Sequence, residues 1–389
     1  MNSQNALGFK IKTEDSHTEL TEESLKILTR SSRRNTEEHG AVVSKSSSVP
    51  LCPPRLRVIL LGIIFTNIFS ILSCARVDAS RSEFTLGTVC TITLFDQAQN
   101  KVYRDAFSRI REIENLMSVN IPSSDVFEIN ASAGIQSVQV HEDTFMVIQR
   151  ALMFAEKSEG AFDPTVGPLV NLWGITGDAP QVPSQKEIDE VLPYISWQDI
   201  FLNEEDHSVF LKRQGMALDL GGIAKGYAAD EAASIIQKAG ITYAIIDLGG
   251  NVIVLGVKPD NTPWRVGLQN PAELRGSYIG VIQTAQTSVV TSGVNERFFI
   301  EDGISYHHIF SPWDGYPVKN NLLSVTIITE NSMNADALST AVFVLGYERG
   351  KALAESFGAQ AIFVFEDFEV RKTEGVDFDL IDEFFWEAE

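Results

Sequence analysis

Short β-strands dominate the second half of this sequence. Apolar and β-branched runs predict strands at residues 243–247, 252–257, 264–269, 278–283, 288–292, 296–300, 323–329 and 361–365. Many of these runs are separated by only a few residues. Such connections join antiparallel neighbours, whereas parallel strands need a crossover of about a dozen residues or more. The pattern therefore favours the α+β class, with antiparallel-rich sheets and packed helices, over a doubly wound parallel sheet.

Helical periodicity is limited to a few segments. Apolar residues recur three or four positions apart over 101–117, 144–158 and 225–239. Asn334 is expected to cap a further helix that ends near residue 345. Two more strands are predicted, at 84–94 and at 216–220. Neither an internal repeat nor a linker is evident after residue 82, so residues 83–389 are predicted to fold as a single catalytic body.

The first 74 residues predict an export signal. Residues 1–54 are rich in Ser, Thr and Glu and are expected to be disordered, or to be a spurious upstream extension. Residues 55–74 begin with two arginines and continue with an apolar run shorter than the roughly 20 residues of a membrane span. The run ends at Cys74 and resembles a lipoprotein signal peptide with a lipobox cysteine. A buried apolar segment is the alternative. Residues 75–82 would then form a tether.

Charge and cysteine content exclude several function classes. The chain has 52 acidic and 31 basic residues, a formal net charge of −21 at pH 7. A nucleic-acid partner is excluded, because polyanion binding needs a basic surface. Three cysteines are too few for a disulfide framework or a zinc cluster. A phosphate ligand would have to be bound by backbone amides, a few placed cations or a metal ion.

The segment Leu-Asp-Leu-Gly-Gly-Ile-Ala-Lys-Gly-Tyr-Ala-Ala-Asp at 218–230 combines a strand, paired glycines and a helix that begins near Ala224. This arrangement directs unpaired amides and the positive end of a helix dipole at a bound anion such as a pyrophosphate. Lys225 adds a positive charge, and Asp230 could accept hydrogen bonds from a ribose or a ring. Taken alone, the segment is better explained as a glycine-rich turn between a strand and a helix.

A second segment, Asn-Ala-Asp-Ala-Leu-Ser-Thr at 334–340, places Asp336 and Thr340 on one face of a helix because they are four residues apart. A carboxylate and a hydroxyl, joined by a carbonyl from elsewhere, would form an oxygen site suited to Mg²⁺. The alternative is an ordinary acidic residue near a helix N-terminus, which the helix dipole favours.

Two further segments contain residues that could contact a ligand. His307 and His308 precede a turn rich in proline and glycine, and one of them could act as a base. Successive residues of a strand face opposite ways, so at most one of the two points into a given site. Phe162 and Trp173 offer flat faces to an aromatic ring, although such residues more often belong to the core.

Together and in this order, these segments resemble the ApbE family of FAD:protein FMN transferases. The matches are Gly-Ala-Phe-Asp-Pro-Thr-Val-Gly-Pro-Leu-Val-Asn-Leu-Trp-Gly at 160–174, the segment at 218–230, Asp-Leu-Gly-Gly-Asn at 247–251, Thr-Ser-Gly at 291–293, the histidine motif at 308–317 and the helix at 335–340. The resemblance covers about residues 84–345. It implies a lipid-anchored enzyme on the periplasmic side of the bacterial inner membrane.

The resemblance also implies a reaction and its residues. FAD would be cleaved with Mg²⁺, and FMN would pass to a threonine of an acceptor protein, such as a redox-complex subunit, with release of AMP. Asp336, Thr340 and the backbone carbonyl of Ala224 would hold the Mg²⁺. His308 would be the base, and Asp336 would act in catalysis through the cation. The positions that would bind FAD are Asn120, Ala161, Phe162, Asp163, Lys225, Tyr227, Asp230 and Ile309.

Two departures from the family pattern keep other functions open. Ser311 stands where an aspartate usually precedes the proline of the histidine motif. Asn120 stands where an aromatic residue often contacts the isoalloxazine ring, and spirochaete members with this asparagine resemble hydrolases. The alternatives to FMN transfer are therefore an FAD pyrophosphatase, which yields FMN and AMP, and a non-catalytic periplasmic lipoprotein that binds flavin.

Overall fold

The computed structural model describes residues 79–96, 99–175, 177, 179–258, 260–273 and 276–381. The predicted N-terminal extension, the signal peptide and Cys74 lie outside these residues, as do positions 75–78 of the tether. The helices of the described part are α1 Asn100–Met117, α2 Asp125–Ala131, α3 Glu142–Lys157, α4 Gly167–Trp173, α5 Gln185–Val191, α6 Ala224–Lys238 and α7 Ser332–Ser356. Among the described residues, no helix is both long enough and apolar enough to span a membrane.

Within the described residues, the strands fall into four sheets. They are β1 Ser80–Thr85, β2 Thr88–Leu94, β3 Val138–Gln139, β4 Ile200–Asn203, β5 Ser208–Leu211, β6 Ala244–Leu248, β7 Asn251–Leu255, β8 Trp264–Gln269, β9 Tyr278–Thr284, β10 Thr287–Gly293, β11 Phe298–Glu301, β12 Ile304–His307, β13 Leu322–Thr329, β14 Gln360–Phe365, β15 Val370–Lys372 and β16 Phe378–Leu380. The largest sheet has eight strands in the order β1-β2-β6-β7-β10-β13-β14-β15, and every neighbouring pair in it is antiparallel. The smaller sheets are β16-β9-β8, β3-β5-β4 and the hairpin β11-β12. This mixed architecture confirms the α+β prediction.

The large sheet is buried on both faces at β13 and β14, its sixth and seventh strands. Val325 and Ile327 of β13 belong to the main core beneath the helices, whereas Ile328 belongs to a second core shared with β8 and β9. Phe363 and Val364 of β14 divide in the same way. Because side chains alternate across a strand, a strand buried on both faces is apolar without interruption. The helices α6 and α7 are thereby fixed on one face of this sheet.

Three local predictions differ from the structure. The predicted strand at 84–94 is a hairpin, because Leu86 and Gly87 both take positive φ, 53° and 67°, and turn the chain. The predicted strand at 216–220 is extended chain joined to Val166 by one isolated bridge at Ala217. The strand predicted at 296–300 is present as β11, the first strand of the hairpin β11–β12.

The helix predicted to begin at Asn334 begins earlier. Asn331 is the N-cap of α7, and its side chain accepts a hydrogen bond from the backbone N–H of Asn334. The helix also continues beyond residue 345, to Ser356, with a break at Gly346, where φ is 74°. A glycine tolerates this left-handed conformation, which allows the chain to resume a helix after the break.

Candidate active site

One cavity of about 800 Å³ collects most of the predicted functional residues. Its volume lies within the range of roughly 300–1,000 Å³ usual for small-molecule sites. It is bordered by the end of α1, the β1–β2 turn, the β6–β7 turn, β10, the hairpin β11–β12 and the N-termini of α6 and α7. The predicted site residues that line it are Asn120, Ala161, Phe162, Asp163, Ala224, Lys225, His308, Ile309, Asp336 and Thr340.

The N-termini of α6 and α7 meet at the centre of this cavity. The Asp336 side chain is 4% exposed, and its Oδ2 accepts a hydrogen bond of 2.9 Å from the backbone N–H of Gly226. Its Oδ1 lies 3.4 Å from Lys225 Nζ, which also donates to the carbonyl of Gly221 at 2.8 Å. A carboxylate at the positive end of α6 is stabilised by both the dipole and the amide.

Thr340 lies one turn after Asp336 and completes the cluster. A Cβ atom added to Gly222 would lie 3.4 Å from Thr340 Oγ1 and 3.2 Å from the ring of Phe162, so the glycine turn runs directly against both. No hydrogen bond joins the Thr340 hydroxyl to another group of the described chain. This oxygen is therefore available to a ligand beside the Asp336 carboxylate.

The hairpin β11–β12 brings His308 to the cavity. Asp302 and Gly303 form its two-residue turn with φ of 52° and 76°, as type I′ hairpins require. The pairing places His308 opposite Arg297, whose carbonyl accepts from the His308 backbone N–H at 3.1 Å and lies 3.2 Å from His308 Nδ1. A carbonyl carries no proton, so Nδ1 is the protonated nitrogen and Nε2 is left as an acceptor. Burial, followed by the Arg297 charge, lowers the pKa of His308 to about 3, so the ring is neutral at pH 7.

His307 faces away from the cavity, as strand alternation predicts. Its Nε2 lies 3.0 Å from the carbonyl of Val318, and its Nδ1 accepts from the backbone N–H of Ile309 at 3.3 Å. The ring is buried and meets the edge of Phe343. Both ring nitrogens are thus bonded within the protein, and burial lowers the pKa of His307.

Asp163 holds the wall of the cavity in place. Its Oδ1 accepts hydrogen bonds from the backbone N–H and the hydroxyl of Thr165, at 2.8 and 2.6 Å. Its Oδ2 accepts one from the backbone N–H of Trp197 at 3.1 Å. Burial raises the pKa of this carboxyl, and the three hydrogen bonds oppose that effect. With its oxygens engaged, Asp163 shapes the loop that carries Ala161 and Phe162.

Tyr227 and Asp230 were predicted to line the FAD site, but the structure does not place them on the cavity. In a helix these residues lie about 200° and 140° around the axis from Lys225, which faces the cavity. The Tyr227 hydroxyl donates to Asp143 at 2.7 Å. Asp230 instead caps α7. Its carboxylate accepts from the backbone N–H groups of residues 332 and 333 and from the side chain of residue 331, each at 2.9 Å.

Two polar residues of the cavity, Asn251 and Arg297, were not predicted as site residues, although Asn251 ends the matched segment at 247–251. Asn251 is 1% exposed, and its Oδ1 accepts from the Ser332 hydroxyl at 2.5 Å, while its Nδ2 has no partner in the described chain. Arg297 is exposed at the cavity beside His308. A signal for Arg297 was present, because an Asp-Gly turn at 302–303 flanked by apolar runs predicts a hairpin. Its register would have placed residue 297 opposite residue 308.

Comparisons with known proteins agree with this arrangement. The ApbE family model matches residues 86–363. The chain belongs to the ApbE family. It is 36% identical over 338 residues to the FAD:protein FMN transferase of Treponema pallidum, covering 81% of this chain and 93% of that protein. It is 38% identical over 286 residues to a protein of the same name from Klebsiella pneumoniae, covering 73% and 88%.

A solved structure supports the same assignment. The crystal structure of the ApbE protein from Thermotoga maritima matches with a TM-score of 0.70 and 36% sequence identity, over 76% of this chain and 96% of that chain. Relatives of this ApbE-family protein are thus transferases, and their crystal structures share its fold. The α+β class and the recognition of the family from its motifs are both confirmed.

The oxygen cluster of this ApbE-family protein fits Mg²⁺. Asp336 supplies a carboxylate and Thr340 a hydroxyl free of other hydrogen bonds, and Ala224 lies on the same cavity at the start of α6. Groups of three or more His, Cys, Asp or Glu side chains that could hold a metal do not occur in the described part of the chain. Mg²⁺ commonly uses one or two carboxylates and takes its remaining ligands from water and substrate phosphates. A site with a single carboxylate is consistent with this ligand preference of Mg²⁺.

Proposed function

We propose that this protein is an Mg²⁺-dependent FAD:protein FMN transferase that attaches FMN to a threonine of an acceptor protein and releases AMP. The observation that carries the proposal is the meeting of Asp336, Thr340, Lys225 and His308 on one cavity of dinucleotide size. An anion site, an oxygen site and a neutral base are the three parts that phosphoryl transfer to a hydroxyl needs.

The residues divide the work of this reaction. Asp336, Thr340 and the Ala224 carbonyl would hold Mg²⁺, which would neutralise charge on the diphosphate. Lys225 and the amides at the start of α6 attract the same phosphates. Asp336 is placed for this role because the Gly226 N–H fixes one of its oxygens and leaves the other beside Lys225.

His308 acts as the base. Its Nε2 takes the proton of the attacking threonine hydroxyl, the hydroxyl oxygen bonds to the FMN phosphorus, and the bond from that phosphorus to the bridging oxygen breaks. AMP leaves with the bridging oxygen. The Arg297 carbonyl keeps the reactive nitrogen unprotonated by bonding to the other ring nitrogen. The product is FMN attached to the threonine oxygen by a phosphoester bond.

FAD hydrolysis is a second candidate function, and Asn120 is the observation that favours it. Asn120 lies exposed on the cavity after the end of α1, and a small polar side chain there gives no aromatic face to a flavin ring. Weaker retention of FAD and easier access of water would favour water as the acceptor. The same oxygen cluster and His308 would serve this reaction.

One experiment separates these functions. The purified protein is incubated with FAD and MgCl₂, with and without membranes from cells that lack it, and the products are analysed by mass spectrometry. The proposal expects a protein-linked FMN on threonine together with AMP, only when membranes are present. Free FMN and AMP without membranes would instead identify a pyrophosphatase. Intact FAD in both samples would leave the protein as a flavin carrier and overturn both proposals.

The cellular location is part of the proposal. We propose that the chain is exported and anchored by a lipid on Cys74, on the periplasmic side of the inner membrane. The support is the sequence alone: a basic pair, a short apolar run and a small residue before the cysteine. Radiolabelled palmitate should label the wild-type protein and not Cys74→Ala. Equal labelling of both would contradict anchoring at this cysteine.

A further inference from the structure

The side chain of Arg297 has no role in the proposed reaction, although its carbonyl does. Arg297 directly precedes β11, and the hairpin register sets it opposite His308, with the His308 backbone N–H 3.1 Å from its carbonyl. The Arg297 backbone therefore already orients the histidine. Its side chain lines the same cavity. The Arg297 carbonyl thus lies beside Nδ1 of His308, and both residues line one cavity.

The guanidinium of Arg297 has no partner in the described chain, neither an ion pair within 4 Å nor a hydrogen bond. Among the described residues that line the cavity, Lys225 is the other permanent cation, and it is engaged with Gly221 and Asp336. Five carboxylates line the same cavity: Glu114, Asp163, Asp219, Glu296 and Asp336. An arginine that bonds none of its acidic neighbours is free to bind an anionic ligand.

The β1–β2 turn lies near that guanidinium. Gly87 has φ of 67°, and a Cβ atom added there would lie 3.5 Å from Arg297 Nη2. The guanidinium is therefore close enough to the turn to meet a side chain placed at residue 87. Arg297 therefore lies close to the turn and lines the cavity. Its planar fork suits two oxygens of one phosphate group.

We propose that Arg297 is a catalytic residue that binds the non-bridging oxygens of the phosphoryl group under attack. The inference rests on the proposed function, because His308 Nε2 must lie next to the hydroxyl that attacks this phosphorus. Arg297 exchanges no proton and forms no covalent bond. It stabilises the charge that gathers on the phosphoryl oxygens while the bond from threonine forms and the bond to AMP breaks.

The test compares three variants with the wild-type protein. Arg297→Gln keeps a polar side chain of moderate size, and Arg297→Lys keeps the charge without the fork. Arg265→Gln is the matched control, because Arg265 is likewise exposed and forms no ion pair in the described chain, but it lies on β8 away from the cavity. We expect FAD cleavage to fall about 10²- to 10³-fold in Arg297→Gln, the usual effect of losing one electrostatic group at a transition state. Arg297→Lys should retain part of the rate, and Arg265→Gln all of it.

A second readout does not depend on activity. The charged and titratable groups that bear on His308 are Arg297, His307 and Lys225, and each favours its neutral form. Removal of the Arg297 charge should therefore raise the pKa of His308, measured by NMR titration without flavin. Arg265→Gln should not move it.

The outcomes are distinct. Wild-type rates in Arg297→Gln, with slow turnover in His308→Ala, would overturn the role of Arg297 and leave the proposed function standing. If the pKa of His308 is the same in Arg297→Gln as in the wild type, the Arg297 guanidinium does not lie close to the His308 ring, and the inference is wrong. If the wild-type protein itself leaves FAD intact, the proposed function fails and the inference fails with it.

Discussion

Asp336 Oδ2 and the backbone N–H of Gly226 are joined by a hydrogen bond of 2.9 Å that links the N-termini of α6 and α7. The link is reciprocal, because Asp230 of α6 accepts from the first backbone N–H groups of α7. Each helix therefore supplies the carboxylate that caps the other. The proposed metal ligand is thus part of the framework that holds the two helices together.

Asp336→Asn should separate these two roles of the carboxylate. The amide oxygen can still accept from Gly226, so the free energy of unfolding should change little. Loss of the charge should lower FAD turnover about 10²- to 10³-fold. Asp336→Ala also loses the cap and should be less stable by about 0.5–2 kcal/mol. Urea unfolding and product analysis by chromatography measure the two effects.

Thr340→Val is the companion variant for that test. It removes the hydroxyl at nearly constant volume, and no internal hydrogen bond of the described chain is lost. Stability should be preserved while the Mg²⁺ concentration needed for half-maximal turnover rises. An unchanged Mg²⁺ requirement in both Asp336→Asn and Thr340→Val would contradict their assignment as ligands.

Gly226→Ala should destabilise the protein, although alanine is the better helix former. A Cβ atom at this position would lie 2.3 Å from the carbonyl oxygen of Ser332, so the helices must separate. At an unhindered helix position the substitution would stabilise by about 0.8–1 kcal/mol. Here overpacking should destabilise by about 1–3 kcal/mol. A rise in the thermal midpoint would show that α6 and α7 do not cross as closely as described.

His308→Ala should slow turnover by about 10²- to 10⁴-fold, the range for a lost general base. The wild-type pH profile carries a further prediction. Because burial and Arg297 lower the pKa of His308 to about 3, the base form persists at every pH well above that value. The profile of kcat/KM should show no loss from His308 protonation between pH 5 and 8. A fall in kcat/KM below about pH 6.5 that is absent in His308→Gln would contradict the burial of this ring.

Asp230→Ala should act on stability. It removes three hydrogen bonds to the start of α7, and the free energy of unfolding should fall by about 1–3 kcal/mol. Burial raises the pKa of Asp230 to about 6, so the folded protein binds a proton there more tightly than the unfolded chain does. That contribution to stability grows as the pH falls from about 6 towards 3.8, the ordinary pKa of an aspartate.

Urea unfolding at two pH values checks the role of Asp230. The difference between wild type and Asp230→Ala should be larger at pH 5 than at pH 7. Loss of FAD binding at full stability would instead return Asp230 to the flavin site, where the family resemblance had placed it.

The sequence predicted those parts of the site that follow from local periodicity. Asp336 and Thr340 share a helix face because they are four residues apart, and His307 and His308 face opposite ways because strand side chains alternate. The prediction that Lys225 adds positive charge to an anion site followed from its place at the start of a helix. Each of these relationships involves residues close together in the chain, and their spacing determines the geometry.

The parts that the sequence did not predict depend on contacts between distant segments. Helical periodicity turns Tyr227 and Asp230 away from Lys225, but their partners come from α3 and α7. The bond between Gly226 and Asp336 joins residues 110 positions apart. Asn331 rather than Asn334 caps α7, and both are asparagines, so residue type alone could not choose between them. Arg297 required the hairpin register that the Asp-Gly turn imposes.

The most direct measurement is a crystal structure of His308→Ala with FAD and Mg²⁺. The account predicts one cation about 2.0–2.1 Å from an Asp336 carboxylate oxygen and from Thr340 Oγ1, the distance usual for Mg²⁺, and bonded to the diphosphate of FAD. FAD bound in the cavity with its diphosphate beyond coordination distance of any cation held by these two residues would contradict it.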